Sequence, residues 1–456
     1  MGRCILLIRI NKDFIKEKIP ERLILKCIKE HRKDLPRLIK NKGYYLGEHK
    51  ILDKIKRDND PNNKIVNNFA KYITDIVSGY FIGNPITISS ESNEDITSLL
   101  DTLERLNINT HNADLEKDLS IYGTGYELLY MNEESKLKIA ILNPENTFVV
   151  YSNEIGNNSL FAVNYYKDFD IDLKAQGYII NVYTDNEILT YYSKNLNEIN
   201  LQNIQQHFFE RVPITQFFNN AEGKGDFEGV ISQIDAYNIL MSDRVNDKEK
   251  FVDSLLVVTG FTFEDIVENE DVNKRIKQNR IMEIPAENSD IKYITKSLNE
   301  TEVQVLSNAI KDDIHKFSQT PDFTDEKFSG NVSGVAMAYK LLALESLAKV
   351  KERFFISGVK RRLKIINTIL NKKTMNFYEL ENIKITIVRT LPVNNLEIAQ
   401  MISLLNKNVS LETLISQLPF VEDPVKELEK LKGEIQEEDT NMVKAFSSIN
   451  YSNLGG

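Results

Sequence analysis

The chain has 456 residues, 41 % hydrophobic and 27 % charged, with a formal net charge of −10. At roughly 150 residues per domain this is a folded protein of about three domains, which excludes a broadly disordered chain. The acidic balance excludes high-affinity nucleic-acid binding through an overall excess of Lys and Arg, and no apolar run reaches the roughly 18–20 residues that cross a bilayer.

The first residues do not read as a signal peptide. Their apolar stretch is short, Arg9 and Lys12 break it, and no small-residue cleavage site follows. Leu6 stands where a myristoylation signal wants Ser or Thr. Cys4 and Cys27 are too few for a disulfide framework and fit a reducing cytoplasm. Residues 1–39 carry no other signal. Residues 61–79 read as a helix, with Pro61 in its first turn, an apolar stripe of Ile65, Phe69, Ile73, Ile76 and Val77, and Gly79 as its stop. Residues 80–89 read as a strand around a turn at Gly83-Asn84-Pro85, and a helix near 94–106 is capped by Ser92 with Asp95 three residues on. Tyr122-Gly123-Thr124-Gly125-Tyr126 lacks the rest of a phosphate loop and reads as a tight turn from helix to strand. Six β-favouring runs follow, at 126–130, 137–141, 147–151, 160–166, 179–183 and 188–192.

The pattern then changes. Gly223-Lys224-Gly225 reads as a flexible connector, and Asp226 as the cap of a long helix over 227–250. Residues 251–298 hold short strands at 254–259 and 280–284 around a charged middle. Ser297 and Glu300 form a capping box for a second long helix, whose face is Val303, Leu306, Ile310, Ile314 and Phe317. After a loop, a third helix spans 333–370, with Gly358 as a kink point. Its second half is basic, with Lys349, Lys351, Arg353, Lys360, Arg361, Arg362 and Lys364. This is either a solvated face or a phosphate or partner contact. Ile383, Ile385 and Ile387 mark a strand. Asn394, Ser410 and Asp423-Pro424 open three terminal helices that end in a polar tail. The fold class is α+β.

No motif calls for a metal or cofactor. The histidines His31, His49, His111, His207 and His315 lack metal-ligand spacing and read as lone solvated or core residues. Residues 321–327, with Asp322, Asp325, Glu326 and Lys327, imitate a metal-dependent nuclease signature. Its two halves lie too close together to sit on neighbouring strands, so the stretch reads as one loop. A nuclease centred there is the enzymatic alternative, and a non-viral cytoplasmic scaffold is the other.

Four stretches together resemble the portal proteins of tailed double-stranded DNA bacteriophages. They are residues 62–73 with Gly79-Tyr80-Phe81-Ile82-Gly83-Asn84-Pro85, residues 122–127, Gly330-Asn331-Val332-Ser333-Gly334-Val335-Ala336, and residues 409–419 with Glu422-Asp423-Pro424. They cover about residues 40–433, in order. The resemblance implies a non-enzymatic ring, usually of twelve subunits, at one vertex of the virion capsid, through whose channel double-stranded DNA enters and leaves. It implies terminase, head–tail adaptor, major capsid and scaffolding proteins as partners, and no membrane. It maps a wing onto 40–226 with the helix and closing strand of 333–392. It maps stem helices onto 227–250 and 299–320, a clip onto 251–298, a tunnel loop onto 321–332 and a crown onto 393–433, leaving 1–39 and the tail 434–456 unassigned. On this layout Asp322, Asp325, Glu326, Lys327 and Asn331 belong to the tunnel loop. Glu302, Lys311, Asp312, Asp313 and Lys316 would line the stem channel, where carboxylates repel the duplex and lower friction.

Overall fold

The computed structural model describes residues 7–16, 18–56, 60–92, 95–156, 158–252, 255–259, 281–284, 290–294, 300–324, 334–374, 378–389, 395–406, 408–418, 421 and 424–434. Within these the chain is α+β.

Ile8, Ile19, Ile24, Cys27 and Ile28, all ahead of residue 40, are part of the core. Strand β1 (Ile8–Ile10) pairs in parallel with β5 (Thr147–Ser152), and helix α1 (Glu21–His31) buries Ile24, Cys27 and Ile28. Burial pushes the Cys27 thiol up to about 11, which makes it an inert core residue. The sheet continues antiparallel through β6 (Ser159–Phe169), β7 (Ala175–Tyr183), β8 (Glu187–Ser193) and β9 (Asn200–Gln206). Alternate residues face opposite sides. Phe148, Val150, Phe161 and Val163 pack under α1, while Val149 and Ala162 pack on Val212 and on Tyr126 and Ile214 of a second sheet, whose order is β10 (Ile214–Phe218), β3 (Thr124–Met131), β4 (Leu137–Leu142). All six expected strands are present. β9 and β10 were not expected. Every residue of β9 is exposed, so it carries no alternation to read.

The remaining core is helical. It gathers α2 (Leu35–Leu46), α3 (Phe69–Ile82), α4 (Thr97–Arg105), α5 (Ile108–Tyr122), the start of α6 (Ile231–Val252), Ile314 of α7 (Glu300–Phe317) and α8 (Gly334–Thr374). A two-stranded ribbon, β2 (Thr87–Ser90) with β14 (Ile383–Thr386), lies against it. Helices α9 (Asn395–Leu405) and α10 (Leu411–Ile415) follow, and Ser410 caps α10 as expected.

Several expected boundaries move. α3 begins at Phe69, capped by the Asn68 side chain, and passes through Gly79 to Ile82. Residues 61–68 are not helical, and the strand expected over 80–89 shrinks to β2. Asp95, not Ser92, accepts the Thr97 amide at the start of α4. Gly123 has φ +82 and makes the turn from α5 into β3. The stretch Gly223–Gly225 is packed, not free: a Cβ on Gly123 would lie 2.1 Å from the Gly223 carbonyl oxygen. The helix α8 is unbroken through Gly358, and at about 1.5 Å per residue it runs for roughly 60 Å. That glycine is there for proximity, because a Cβ on it would meet the Phe217 ring at 2.3 Å.

The basic run on α8 is the largest departure. Lys351 and Arg362 are 2 % and 1 % exposed. The Lys351 ammonium lies 2.7 Å from Glu116 on α5 and 2.6 Å from Asp226. Asp226 is therefore a buried ion-pair partner and not a helix cap. Arg362 donates from Nε and Nη2 to Glu127 on β3, at 3.0 and 2.6 Å, and from Nη1 to Asn112 at 2.7 Å. His111 Nε2 is 3.1 Å from the same Glu127 carboxylate. Burial opposes ionisation of Glu127, but Arg362 and His111 hold its carboxyl below its ordinary range. Arg361 donates to the Ser159 hydroxyl and the Val212 carbonyl. Lys351 and Arg362 are thus internal and Arg361 is half-buried, and only part of the run is a solvated face.

Removing one side of a buried pair strands the other charge, which costs about 3–5 kcal/mol. Arg362→Ala should therefore lower the urea midpoint by that equivalent. Adding Glu127→Gln in the same chain should recover part of the loss, because it removes the stranded charge. A urea titration of the two variants checks both statements.

Candidate functional site

Helices α6 and α7 pack side by side, and a small sheet lies between them in the chain. Its order is β12 (Ile281–Ile284), β11 (Leu255–Thr259), β13 (Asp290–Ile294), with β11–β12 parallel and β11–β13 antiparallel. The third strand was not expected from the sequence. The proposed capping residue Ser297 lies outside the described residues.

Polar contacts tie the helix pair together. Arg244 donates to Glu300 at 2.9 Å and to Gln304 at 3.2 Å, and Lys248 reaches Glu300 at 3.1 Å. The face of α7 turned inward is Ser307, Ile310 and Ile314. This corrects the expected stripe: Leu306 and Phe317 are 50 % and 60 % exposed.

Another side of α6 is held by Tyr44, Lys54, Lys56 and residues 63–67. Tyr44 donates to Asp235 at 2.7 Å, and Lys54 and Lys56 pair with Asp243 at 2.8 and 3.2 Å. Beside these, an extended strap runs antiparallel to the helix. The amides of Asn63, Ile65 and Asn67 donate to Asn246 Oδ1, Ser242 Oγ and Asn238 Oδ1, at 2.7, 3.0 and 2.8 Å. The spacing has a simple cause. Two residues of extended chain advance about 6.6 Å and four residues of helix about 6 Å, so every second amide meets every fourth side chain. All three α6 residues are essentially fully buried. These bonds explain why Pro61 does not start a helix: amides expected to join α3 are already paired to α6.

At the far end of α7 the chain is pinned again. His315 Nδ1 lies 2.9 Å from the Thr320 carbonyl oxygen. Tyr72 on α3 donates to the Pro321 carbonyl at 3.2 Å and accepts the Phe323 amide at 3.0 Å. Asp322 Oδ1 accepts from the Thr324 amide and hydroxyl at 3.0 and 2.6 Å, and Oδ2 accepts from Lys311 at 2.9 Å. Burial works against the Asp322 anion, but the bonds from Thr324 and Lys311 outweigh it and hold the carboxyl at about 2. Both oxygens are thereby engaged, so the nuclease-like stretch has its first carboxylate turned to structure.

Of the residues singled out from the sequence, Lys311 and Asp322 come together as this ion pair. Glu302, Asp312, Asp313 and Lys316 are exposed on α7. Asp325, Glu326, Lys327 and Asn331 lie outside the described residues. Sequence reasoning gave no site role to Tyr72 or His315 and passed over Asn238, Ser242 and Asn246. The signal for the last three was their four-residue spacing on one face of a long helix. The five histidines are buried or half-buried and hydrogen-bonded, not solvated. Among the described residues no group of three or more His, Cys, Asp or Glu is placed to hold a metal ion, and no helix is long and apolar enough to cross a membrane.

The helix pair is thus tied to the α+β core by hydrogen bonds and ion pairs along α6 and at the end of α7. The family model for phage portal proteins of the SPP1 Gp6-like type matches residues 24–441. The chain is 22 % identical over 444 residues to the portal protein of Bacillus phage SPP1, covering 91 % of this chain and 86 % of that one. It is 23 % identical over 422 residues to the portal protein of Clostridium phage phiCD119, covering 86 % and 91 %. The chain belongs to the phage portal protein family, and its role is a structural one in the phage.

The depressed carboxyl of Asp322 adds stability above its ordinary value of 3.8, and that contribution is lost as pH falls towards about 2. Asp322→Asn should therefore melt below wild type at pH 7, with the gap closing as pH drops through that window. Thermal scans across pH check this.

Proposed function

We propose that copies of this chain close into a ring at one vertex of the phage capsid and form the channel through which double-stranded DNA is packaged and ejected. Membership of the portal family carries this reading. The helix pair α6–α7 fits the part of stem, and its intervening sheet the part of clip. Residues 40–226 with 333–392 fit the part of wing, the loop at 321–332 that of tunnel loop, and 393–433 that of crown. Closure needs a heterologous contact between neighbouring copies that repeats until the ring shuts.

Two features of α7 support a channel wall. Glu302, Asp312 and Asp313 are exposed on it, and a wall poor in free cations leaves the duplex mobile, because each fixed Lys–phosphate contact is a brake. Lys311 is tied to Asp322 and is not a free brake, so of the two lysines of α7 only Lys316 would meet the duplex, against the three carboxylates. The edges of the small sheet would receive terminase before filling and the head–tail adaptor afterwards, by pairing with open strand edges. Major capsid and scaffolding proteins would surround the wing.

Light scattering on the purified protein, followed by negative-stain imaging, should give a species near twelve times 52.5 kDa with a central hole in top view. Added adaptor should appear as density at the small-sheet end, and density elsewhere removes that assignment. A monomer that persists across salt and concentration rules out the conduit. Replacing Asp325, Glu326 and Lys327 with Ala should lower packaged DNA and leave the ring mass unchanged; undiminished packaging removes the loop from the mechanism.

A further inference from the structure

The net charge of −10 hides a sharp asymmetry. Residues 1–56 hold sixteen Lys and Arg against seven Asp and Glu, while the other 400 residues hold 41 against 60. The N-terminal stretch is therefore strongly basic within an acidic protein, a distribution that points to a polyanionic partner.

The structure shows where part of this charge goes. Helix α1 buries Ile24, Cys27, Ile28 and His31 against the six-stranded sheet. His31 is held at about 4 by burial, so it adds no charge at neutral pH. At 100° per residue, Arg22, Lys26 and Lys29 fall on the side directly opposite that buried face. Arg32 and Lys33 extend the strip into the following turn, and all five are exposed. Lys33 is paired with Glu30. Arg22, Lys26, Lys29 and Arg32 have no ion-pair partner among the described residues.

We propose that the outer face of α1 is a docking strip for the phosphate backbone of duplex DNA, separate from the helix pair α6–α7. Composition selects this occupant over a protein. Protein interfaces centre on apolar and aromatic anchors and are depleted in Lys. No apolar residue is exposed on α1, and its only exposed acidic residue is Glu21. The strip lacks the Asn and Gln that pair with adenine edges and the aromatic side chains that stack on bases, and its Lys and Arg attract phosphate whatever the sequence. From Arg22 to Arg32 it runs for about 15 Å, along which one DNA strand presents about four phosphates. The portal reading enters only in supplying duplex DNA close to the protein.

The test uses the full-length protein and a labelled duplex of arbitrary sequence. Four phosphate contacts predict that affinity falls about 10²-fold between 50 and 200 mM salt. The variant Arg22→Gln, Lys26→Gln, Lys29→Gln, Arg32→Gln should bind at least about tenfold more weakly at 50 mM, with a flatter salt slope and the same assembled mass. The swap Arg22→Lys, Lys26→Arg, Lys29→Arg, Arg32→Lys should restore both, since the contact needs charge and not shape. Unchanged affinity and slope in the Gln variant overturn the proposal. So does a Gln variant that binds DNA fully but fails to assemble, which makes the strip a contact between copies. Failure of the portal reading would show separately, as a wild-type chain that forms no ring whether or not it binds DNA.

Discussion

Lys351 and Arg362 sit eleven residues apart on one helix, and each meets a buried carboxylate from a distant part of the chain. Glu116 comes from α5, Glu127 from β3, and Asp226 from the turn that leads into α6. The same helix therefore fixes a helix, a sheet and the root of the helix pair. Pairs of this kind contribute little net stability, because removing two charges from water offsets most of their attraction. What they add here is registry. A purely apolar α8 could slide along its contacts at small cost, whereas these cations have partners at one setting only. The Gly358–Phe217 contact marks the same setting, since any side chain at 358 would strike the ring.

One cation between two carboxylates leaves an excess of negative charge around Lys351. Burial raises the Glu116 carboxyl to about 7, against the opposing pull of Lys351. A raised carboxyl favours the folded state at low pH and loses that advantage as pH climbs past its folded value. The Glu127–Arg362 pair behaves oppositely, because its carboxyl is held down.

Much of the fold was legible from local pattern. The strands β3 to β8 announce themselves as short β-favouring runs between turn residues, and the two long helices around the insert by their apolar periodicity. The family resemblance was legible from short stretches that match in order. Tertiary pairing hid the rest. Lys351 and Arg362 read as surface charge, although they share a face with Leu344, Ala348, Phe355 and Val359, all buried. Seeing that phase would have marked them as interior. Residues 61–68 read as helix because Pro61 and Ile65 fit one, and nothing local says that Asn238, Ser242 and Asn246 accept their amides. The strip on α1 was masked by averaging charge over the whole chain.

The strap has a mechanical consequence. Its acceptors recur every four residues along α6, so the contact has a periodic energy profile and not a smooth one. An axial displacement of α6 by half a turn would break all three bonds at once. A displacement by a full four-residue step, about 6 Å, would bring two of them back with exchanged partners. The joint between the helix pair and its base is thus a detent: it resists small loads stiffly and, if it yields, yields in discrete steps.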